Sequence, residues 1–462
     1  MHDLPIRLNP ARSTGRAQPM ADLLDSSART YIPEQPTPRL AFYLLLAFML
    51  FSFAQFAAWL PGHVVRGSTQ GLSSAAWLVS LLRLSLTTSV LALGSILLYK
   101  STRREKMLFT GCQTHLLGLL MLCALASVSL SKHPSFSLEF ALLELGGNLL
   151  LYLLVINVIC NLRSIRIFLW VLVLCGCIPA IGALLANLWP DQFATQITVS
   201  GRIGFAGYFE NANRLARTLC QLVPLALCLI TLSRSYVLKV FLVGVICLYV
   251  TTTLLMLSRS GLVALGIVAL VYSFSSRHKV RNLAVVLVLA VASFAMVPAA
   301  LSRVKTIASY QEDASAMGRI TLWRAGVAMA IQRPLTGVGI AAFPIASAEY
   351  FEASGANKRL RWMAPHNSYV QVGAEMGFIG LAAFVGLTLV SLRDARRVHR
   401  RLINSDDPAA HELALLGRAL FLAMLASALI GLTGHMAYDW ILYVYIALIV
   451  CVKQMEKPAP TG

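Results

Sequence analysis

The chain has 462 residues, 57% of them apolar and 13% charged, with a formal net charge of +19 and a mean hydropathy of +0.71. Soluble domains carry about a quarter charged residues, so an ordinary soluble fold is excluded, and strand-period alternation of the kind a β-barrel needs is absent. Nucleic-acid binding is not needed to explain the positive excess, because Lys and Arg collect in the cytoplasmic loops of membrane proteins. Apolar runs long enough to cross a bilayer as helix recur along the chain, which predicts an all-α polytopic transmembrane bundle of about 12 spans. All nine cysteines fall in apolar runs, so no disulfide framework is expected.

Residues 1–38 are polar, rich in Pro, Ser and Arg, and lack the apolar stretch of a signal peptide. They read as a disordered cytoplasmic tail. Residues 39–301 hold nine expected spans, at 40–60, 75–99, 107–130, 138–160, 166–189, 214–232, 237–257, 261–275 and 281–301. Residues 302–367 form a large polar loop, expected to fold as a small head with short helices. Three more spans follow within 368–452, at 368–392, 413–433 and 438–452, and 453–462 form a second tail. Alternate connections carry Lys100, Arg103, Arg104 and Lys106; Arg163 and Arg166; Arg234 and Lys239; Arg277, Lys279 and Arg281; and the run from Arg393 to Arg401. That set is cytoplasmic by the positive-inside bias, as are both tails. The opposite short loops hold only Arg66 and Lys132.

The informative cations lie against this bias: Arg202 and Arg214 in and beside loop 190–213, Arg259 in a tight turn, and Arg319 in the head. Guanidinium groups bind diphosphate through forked, charge-assisted hydrogen bonds, so separate external segments bearing Arg can converge on one anion.

In chain order, the first motif is Gly201-Arg202-Ile-Gly204 followed by Asn211-Ala-Asn213-Arg214. Asn211 or Asn213 suits a helix N-cap, and the helix start favours an anion; the alternative is a capped turn with Arg202 on lipid phosphate. The second is Ser258-Arg259-Ser260-Gly261 between two apolar runs. An arginine there costs several kcal/mol unless it faces a polar cavity or snorkels to the interface. The third is Gly318-Arg319 leading to Arg333-Pro334-Leu-Thr-Gly337-Val-Gly339, an amphipathic helix closed by Pro and Gly. A cation at a helix start opposes the dipole, so Arg319 points either at a ligand or at Glu312 or Asp313. The fourth is Pro365-His366-Asn367-Ser-Tyr, running into Gln371 and Glu375. Asn367, Gln371 and Glu375 share a helix face, and His366 at its outer end has the titration range of a general base. The bland alternative is an interfacial histidine beside polar interhelical contacts. Asp439, in His435-Met-Ala-Tyr438-Asp439-Trp440, either serves the site or belongs to an interfacial aromatic belt. Arg83 and Arg418 receive no role. Nucleotide-binding and zinc-protease motifs are absent from the sequence.

Taken together, Gly207-Tyr-Phe-Glu-Asn-Ala-Asn213, Ser258-Arg259-Ser-Gly261, Arg319 with Pro334-Leu-Thr-Gly-Val-Gly339, and His366-Asn-Ser-Tyr with Glu375-Met-Gly377-Phe-Ile-Gly380 resemble the O-antigen ligase and O-antigen polymerase superfamily of bacterial inner-membrane transferases. The resemblance covers roughly residues 200–385, with Ala212 standing where many members have proline. It implies a GT-C-like lipid-sugar transferase fold with a large periplasmic loop. It also implies a glycan donor on undecaprenyl diphosphate, and no metal or other cofactor. Arg202 and Arg259 match the family's diphosphate-holding arginines, with Arg214 a rival to Arg202, and His366 matches its histidine. The expected acceptor is lipid A core, as in a ligase. A second lipid-linked glycan would make the protein a polymerase of O-antigen, capsule or exopolysaccharide. A lipid or polysaccharide transporter is the alternative of another class.

Overall fold

The computed structural model describes residues 37–54, 89–103, 111–189, 196–197, 203–204, 212–256, 258–274, 314–353 and 362–456. The protein is a polytopic helical membrane protein. Its helices are α1 (Arg39–Ala54), α2 (Ser89–Thr102), α3 (Cys112–Val128), α4 (Pro134–Phe140), α5 (Gly146–Val158), α6 (Leu162–Leu188), α7 (Ala212–Leu232), α8 (Tyr236–Leu255), α9 (Arg259–Phe274), α10 (Ala314–Gln332), α11 (Phe343–Ala353), α12 (Ser368–Leu402), α13 (Pro408–Ile430) and α14 (Trp440–Met455). Two short strands, β1 (Gln196–Ile197) and β2 (Ile203–Gly204), pair antiparallel. Among the described residues, six helical segments are long and apolar enough to cross a membrane. They are α6, α7, α8, α12, α13 and Pro134–Val158, in which a π turn at Ala141–Leu145 joins α4 to α5. The expected span at 281–301 and the tail at 1–36 lie outside the described residues.

Local sequence sets the helix ends. Asn161 and Ser164 form a reciprocal capping box at the start of α6. Asp407 accepts from the Ala409 amide ahead of Pro408, which sits at the first position of α13. Small residues set the crossings. A Cβ on Gly176 would stand 2.5 Å from both Leu222 and the Tyr249 hydroxyl, so α6, α7 and α8 meet there without a gap. Helix α14 is apolar on every side and buried from Ile441 to Val452, because it packs against α5, α12 and α13 together. Helix α8 instead turns Val237, Val240, Phe241 and Val243 outward, as a lipid-facing helix should.

Helix α12 corrects the expected pattern twice. Its span was expected to end at 392, with the arginine run in a connection, yet the helix continues to Leu402. Arginine is a good helix former, and Asp394, Ala395, Val398 and Leu402 bury one face of the extension. Asp394 is 0% exposed and accepts from Lys453 at 2.6 Å, Gln113 at 2.9 Å and Arg393 at 3.0 Å. That cluster ties α3, α12 and α14 at one end of the bundle.

At its other end α12 is broken at Gly377, whose φ is 70°. The freed carbonyls of Ala374 and Glu375 accept from the amides of Val338 at 2.9 Å and Gly339 at 3.1 Å, and Phe378 N donates to Pro334 O at 2.7 Å. Irregular backbone in a membrane helix is tolerated where protein satisfies it. The Pro334–Gly339 motif does this, and Gly337 (φ 67°) allows the approach, since a Cβ there would overlap the Glu375 backbone.

Candidate functional site

Three elements meet at the outer end of α12. Helix α10 lies across its first turns through Gly326, where a Cβ would stand 2.5 Å from Val370. Trp323 Nε1 donates to Pro365 O at 2.7 Å, which fixes the approach to His366. Asn367 caps α12, accepting from the amides of Tyr369 at 3.0 Å and Val370 at 3.1 Å. The turn between α13 and α14 is stitched to the same point. Ser368 N donates to Gly431 O at 2.7 Å, Ser368 Oγ donates to Gly434 O at 2.8 Å, and Met436 N donates to Ser368 Oγ at 2.8 Å.

This stitching brings two histidines together. The Nδ1 atoms of His366 and His435 lie 3.2 Å apart, with ring planes inclined by 44°. His366 has φ 51°, a left-handed conformation that costs a non-glycine residue about 1–3 kcal/mol and clusters at functional sites. Burial is the main cause that holds the His366 imidazole far below its ordinary range, at about 3; His435, Arg319 and Arg217 add to it. Burial and then Arg217 hold His435 at about 4, with Arg214 adding and Asp439 opposing. Both rings are therefore neutral near neutral pH.

The cations come from α7 and α10. Arg217 is 2% exposed, its Nε donates to Asn213 O at 2.8 Å, and it fills the space beside Gly434 so closely that a Cβ there would collide with the guanidinium. Arg319 sits one turn before Trp323 on α10, on the same face, and acts electrostatically on His366. Arg214 pairs with the buried carboxylate of Asp439, and Glu144 on the π turn acts electrostatically with both.

Glu375 is 0% exposed. It accepts from the Tyr438 hydroxyl at 2.6 Å, Gln371 at 3.3 Å and Phe343 N at 3.4 Å. Burial and then Glu375 hold the Tyr438 hydroxyl well above the usual phenol range. Glu375 thus braces the turn before α11 and the α13–α14 turn from a single position.

Of the residues singled out in the sequence, His366, Arg319, Arg214, Asn213, Asn367, Glu375 and Asp439 gather at this end of α12. Among the described residues, the polar side chain that bonds His366 is His435, whereas Asn367 caps the helix and Glu375 pairs with Tyr438. Arg202 and Asn211, with the alternative partners Glu312 and Asp313, lie outside the described residues. Arg259 is the first residue of α9, and its side chain is also outside them. Its turn nonetheless sits on α7: a Cβ on Gly261 would stand 3.0 Å from Ala216, and Cys220 Sγ lies 3.2 Å from Gly261 O. Arg418 has a structural explanation, donating to Tyr272 O at 2.9 Å with its guanidinium 4.4 Å from the same ring. Arg83 is outside the described residues.

Sequence reading passed over Arg217, His435 and Tyr438. A buried arginine within an apolar helix, one turn from Arg214, was the available signal for the first. His435 and Tyr438 stand in the same short stretch as Asp439. A cavity of about 520 Å³ opens beyond the Val338–Ala342 turn, bordered by Lys132, His133, Arg333, Glu349 and Tyr350. Neither His366 nor His435 lines it.

No curated protein matches the chain. Residues 244–385 match the family described as O-antigen ligase. The match takes in Arg259, Arg319, His366 and Glu375, and leaves out Arg214, Arg217, His435 and Asp439. That match, over less than a third of the chain, supports a likeness to the O-antigen ligase and polymerase superfamily in this region.

Proposed function

We propose that the protein moves a glycan from undecaprenyl diphosphate to an acceptor hydroxyl on the periplasmic face of the bacterial inner membrane, with lipid A core as the acceptor. The observation that carries this reading is the half-buried His366, its Nδ1 3.2 Å from that of His435, with Arg217 and Arg319 acting on it from two other helices. Arg319, with Arg202 and Arg259, grips the donor diphosphate and meets the charge that develops as it leaves, while Arg217, 2% exposed, contributes its charge from within the packing. Arg214, Asn211 and Asn213 serve the donor side, while Asn367 and Glu375 hold the acceptor side in shape. His366 removes the proton of the attacking hydroxyl, and direct displacement inverts the anomeric carbon. The diphosphate's negative charge offsets the cations that depress the imidazole, so proton affinity rises when the donor is bound. No metal is required, since guanidinium charge takes its place. The loop at 302–367 is the periplasmic head, and both tails lie in the cytoplasm.

Surface glycans of a deletion strain test the acceptor. Free long chains with a bare core support the ligase, whereas capping by a single repeat makes the protein a polymerase. Glycan retained on the cytoplasmic side makes it a transporter. Purified Arg259→Ala and His366→Ala proteins test the site: transfer retained in both, with normal folding, removes these roles.

A further inference from the structure

We propose that His435 is a positioning residue that fixes the tautomer of His366, holding the Nδ1–H form so that the Nε2 lone pair faces the acceptor hydroxyl. This rests on the general-base reading of His366. Two neutral imidazoles with Nδ1 facing Nδ1 at 3.2 Å share one hydrogen, because two lone pairs or two N–H groups would repel. Only the arrangement in which His366 donates and His435 accepts leaves His366 with a basic outer nitrogen.

Charges from three other elements surround the pair: Arg319 on α10 acts on His366, Arg217 on α7 acts on both rings, and Asp439 and Arg214 act on His435 with opposite signs. The ring positions are set by the backbone rather than by the pair itself. Ser368 joins Gly431, Gly434 and Met436 in three hydrogen bonds of 2.7 to 2.8 Å directly beside the two rings.

In the transfer step the hydroxyl oxygen bonds the anomeric carbon, and the carbon–oxygen bond to diphosphate breaks with its electron pair leaving on the diphosphate. The hydroxyl proton passes to His366 Nε2. The imidazolium keeps its Nδ1–H donated to His435, so the accepting nitrogen shares the positive charge in a buried setting. His435 touches neither donor nor acceptor.

The test uses full-length protein in detergent, undecaprenyl-diphosphate-linked glycan as donor and O-antigen-free lipopolysaccharide as acceptor. His435→Phe keeps a ring and removes the accepting nitrogen; His435→Asn restores an acceptor through its carbonyl. The expected result is a fall in kcat of about 10²-fold for Phe, the lower range for a general base, with donor KM little changed and at least tenfold recovery for Asn. Transfer by the Phe variant within threefold of wild type overturns the proposal, as does an Asn variant no better than Phe. Nitrogen NMR of ¹⁵N-histidine protein reads the His366 tautomer directly in the wild type, so misfolded variants leave the question decidable; an Nε2–H tautomer also overturns it. His366→Ala run alongside separates the two readings. Transfer lost there but kept in His435→Phe sinks the positioning role alone, whereas transfer kept in His366→Ala sinks the base itself.

Discussion

Gly377→Ala isolates the break in α12. The wild-type residue sits at φ 70° and ψ −172°, a region that is essentially glycine-only, so alanine there costs about 1–3 kcal/mol before any contact is considered. Its Cβ would stand 2.5 Å from Pro334 O and 2.7 Å from Leu335 C. Both are backbone atoms of the turn that satisfies the broken helix, and neither can swing aside. Relieving the overlap withdraws that turn and endangers the bonds from Phe378 to Pro334 and from Val338 to Ala374. Losing two such bonds adds about 2 kcal/mol, for a total of about 3–5 kcal/mol. Gly244→Ala on α8 is the control: nothing lies within 4 Å of the added methyl, and removing a helix-interior glycine should stabilise by about 0.5–1 kcal/mol. Thermal unfolding of both variants in one detergent, with transfer measured on each, reads the difference. A Gly377→Ala protein as stable as Gly244→Ala would refute the account of the break.

Three further outcomes follow from the site. A double-mutant cycle on Glu375→Ala and Tyr438→Phe should show a coupling of about 1–3 kcal/mol, because each single change strands a buried partner; additive effects, measured by unfolding, would remove the brace. His366→Gly should be more stable than His366→Ala by about 1 kcal/mol, since φ is 51° there, although both should lose transfer; an alanine variant equal to glycine in a melting scan contradicts the strain. Stability should fall as pH drops below 6.5 and stay flat above it. The unfolded chain takes up protons at the ordinary value of 6.5, whereas the folded rings do so only at about 3 and 4, so the unfolded state binds more protons in that window and stability rises with pH across it. Chemical denaturation at pH 4.5 and 7.5 checks this, and the double variant His366→Gln, His435→Gln should flatten the difference.

What the sequence made legible was local. Asn367 ahead of an apolar run announces a helix start, and the polar spacing of Gln371 and Glu375 is realised as a bond of 3.3 Å on α12. His366 stood out because it follows Pro365 at the edge of a span. Its partner did not, because His435 is 69 residues away and is brought near only by the α13–α14 turn closing on Ser368. Arg217 was hidden by its apolar neighbours on α7, and its meaning appears only once Gly434 packs against it. The arginine run after Leu392 was misjudged because positive charge marks the membrane side but not the end of a helix. Asp394 and the buried face at Val398 and Leu402 carry the helix on to Leu402.

The two ends of α12 together constrain where the site lies. From Ser368 to Asp394 the helix advances 26 residues, on the order of 39 Å at an α-helical rise, and the break at Gly377 shortens this only slightly. A hydrocarbon core is about 30 Å thick, so the His366 pair and the Asp394 cluster cannot both sit inside it. The residues between them that face outward from α12, Phe378, Ile379 and Leu389, are apolar, as the membrane-buried stretch requires. Charged groups instead occupy the two ends: Arg217, Arg319 and Arg214 about the histidines, and Lys453, Arg393 and the arginines up to Arg401 beyond the other face. The second group is the denser in Lys and Arg and has few acids, which supports its placement in the cytoplasm. On the proposed reading, the histidine pair then lies near the opposite surface, where a lipid-borne diphosphate would meet Arg319 without its charge crossing the apolar stretch.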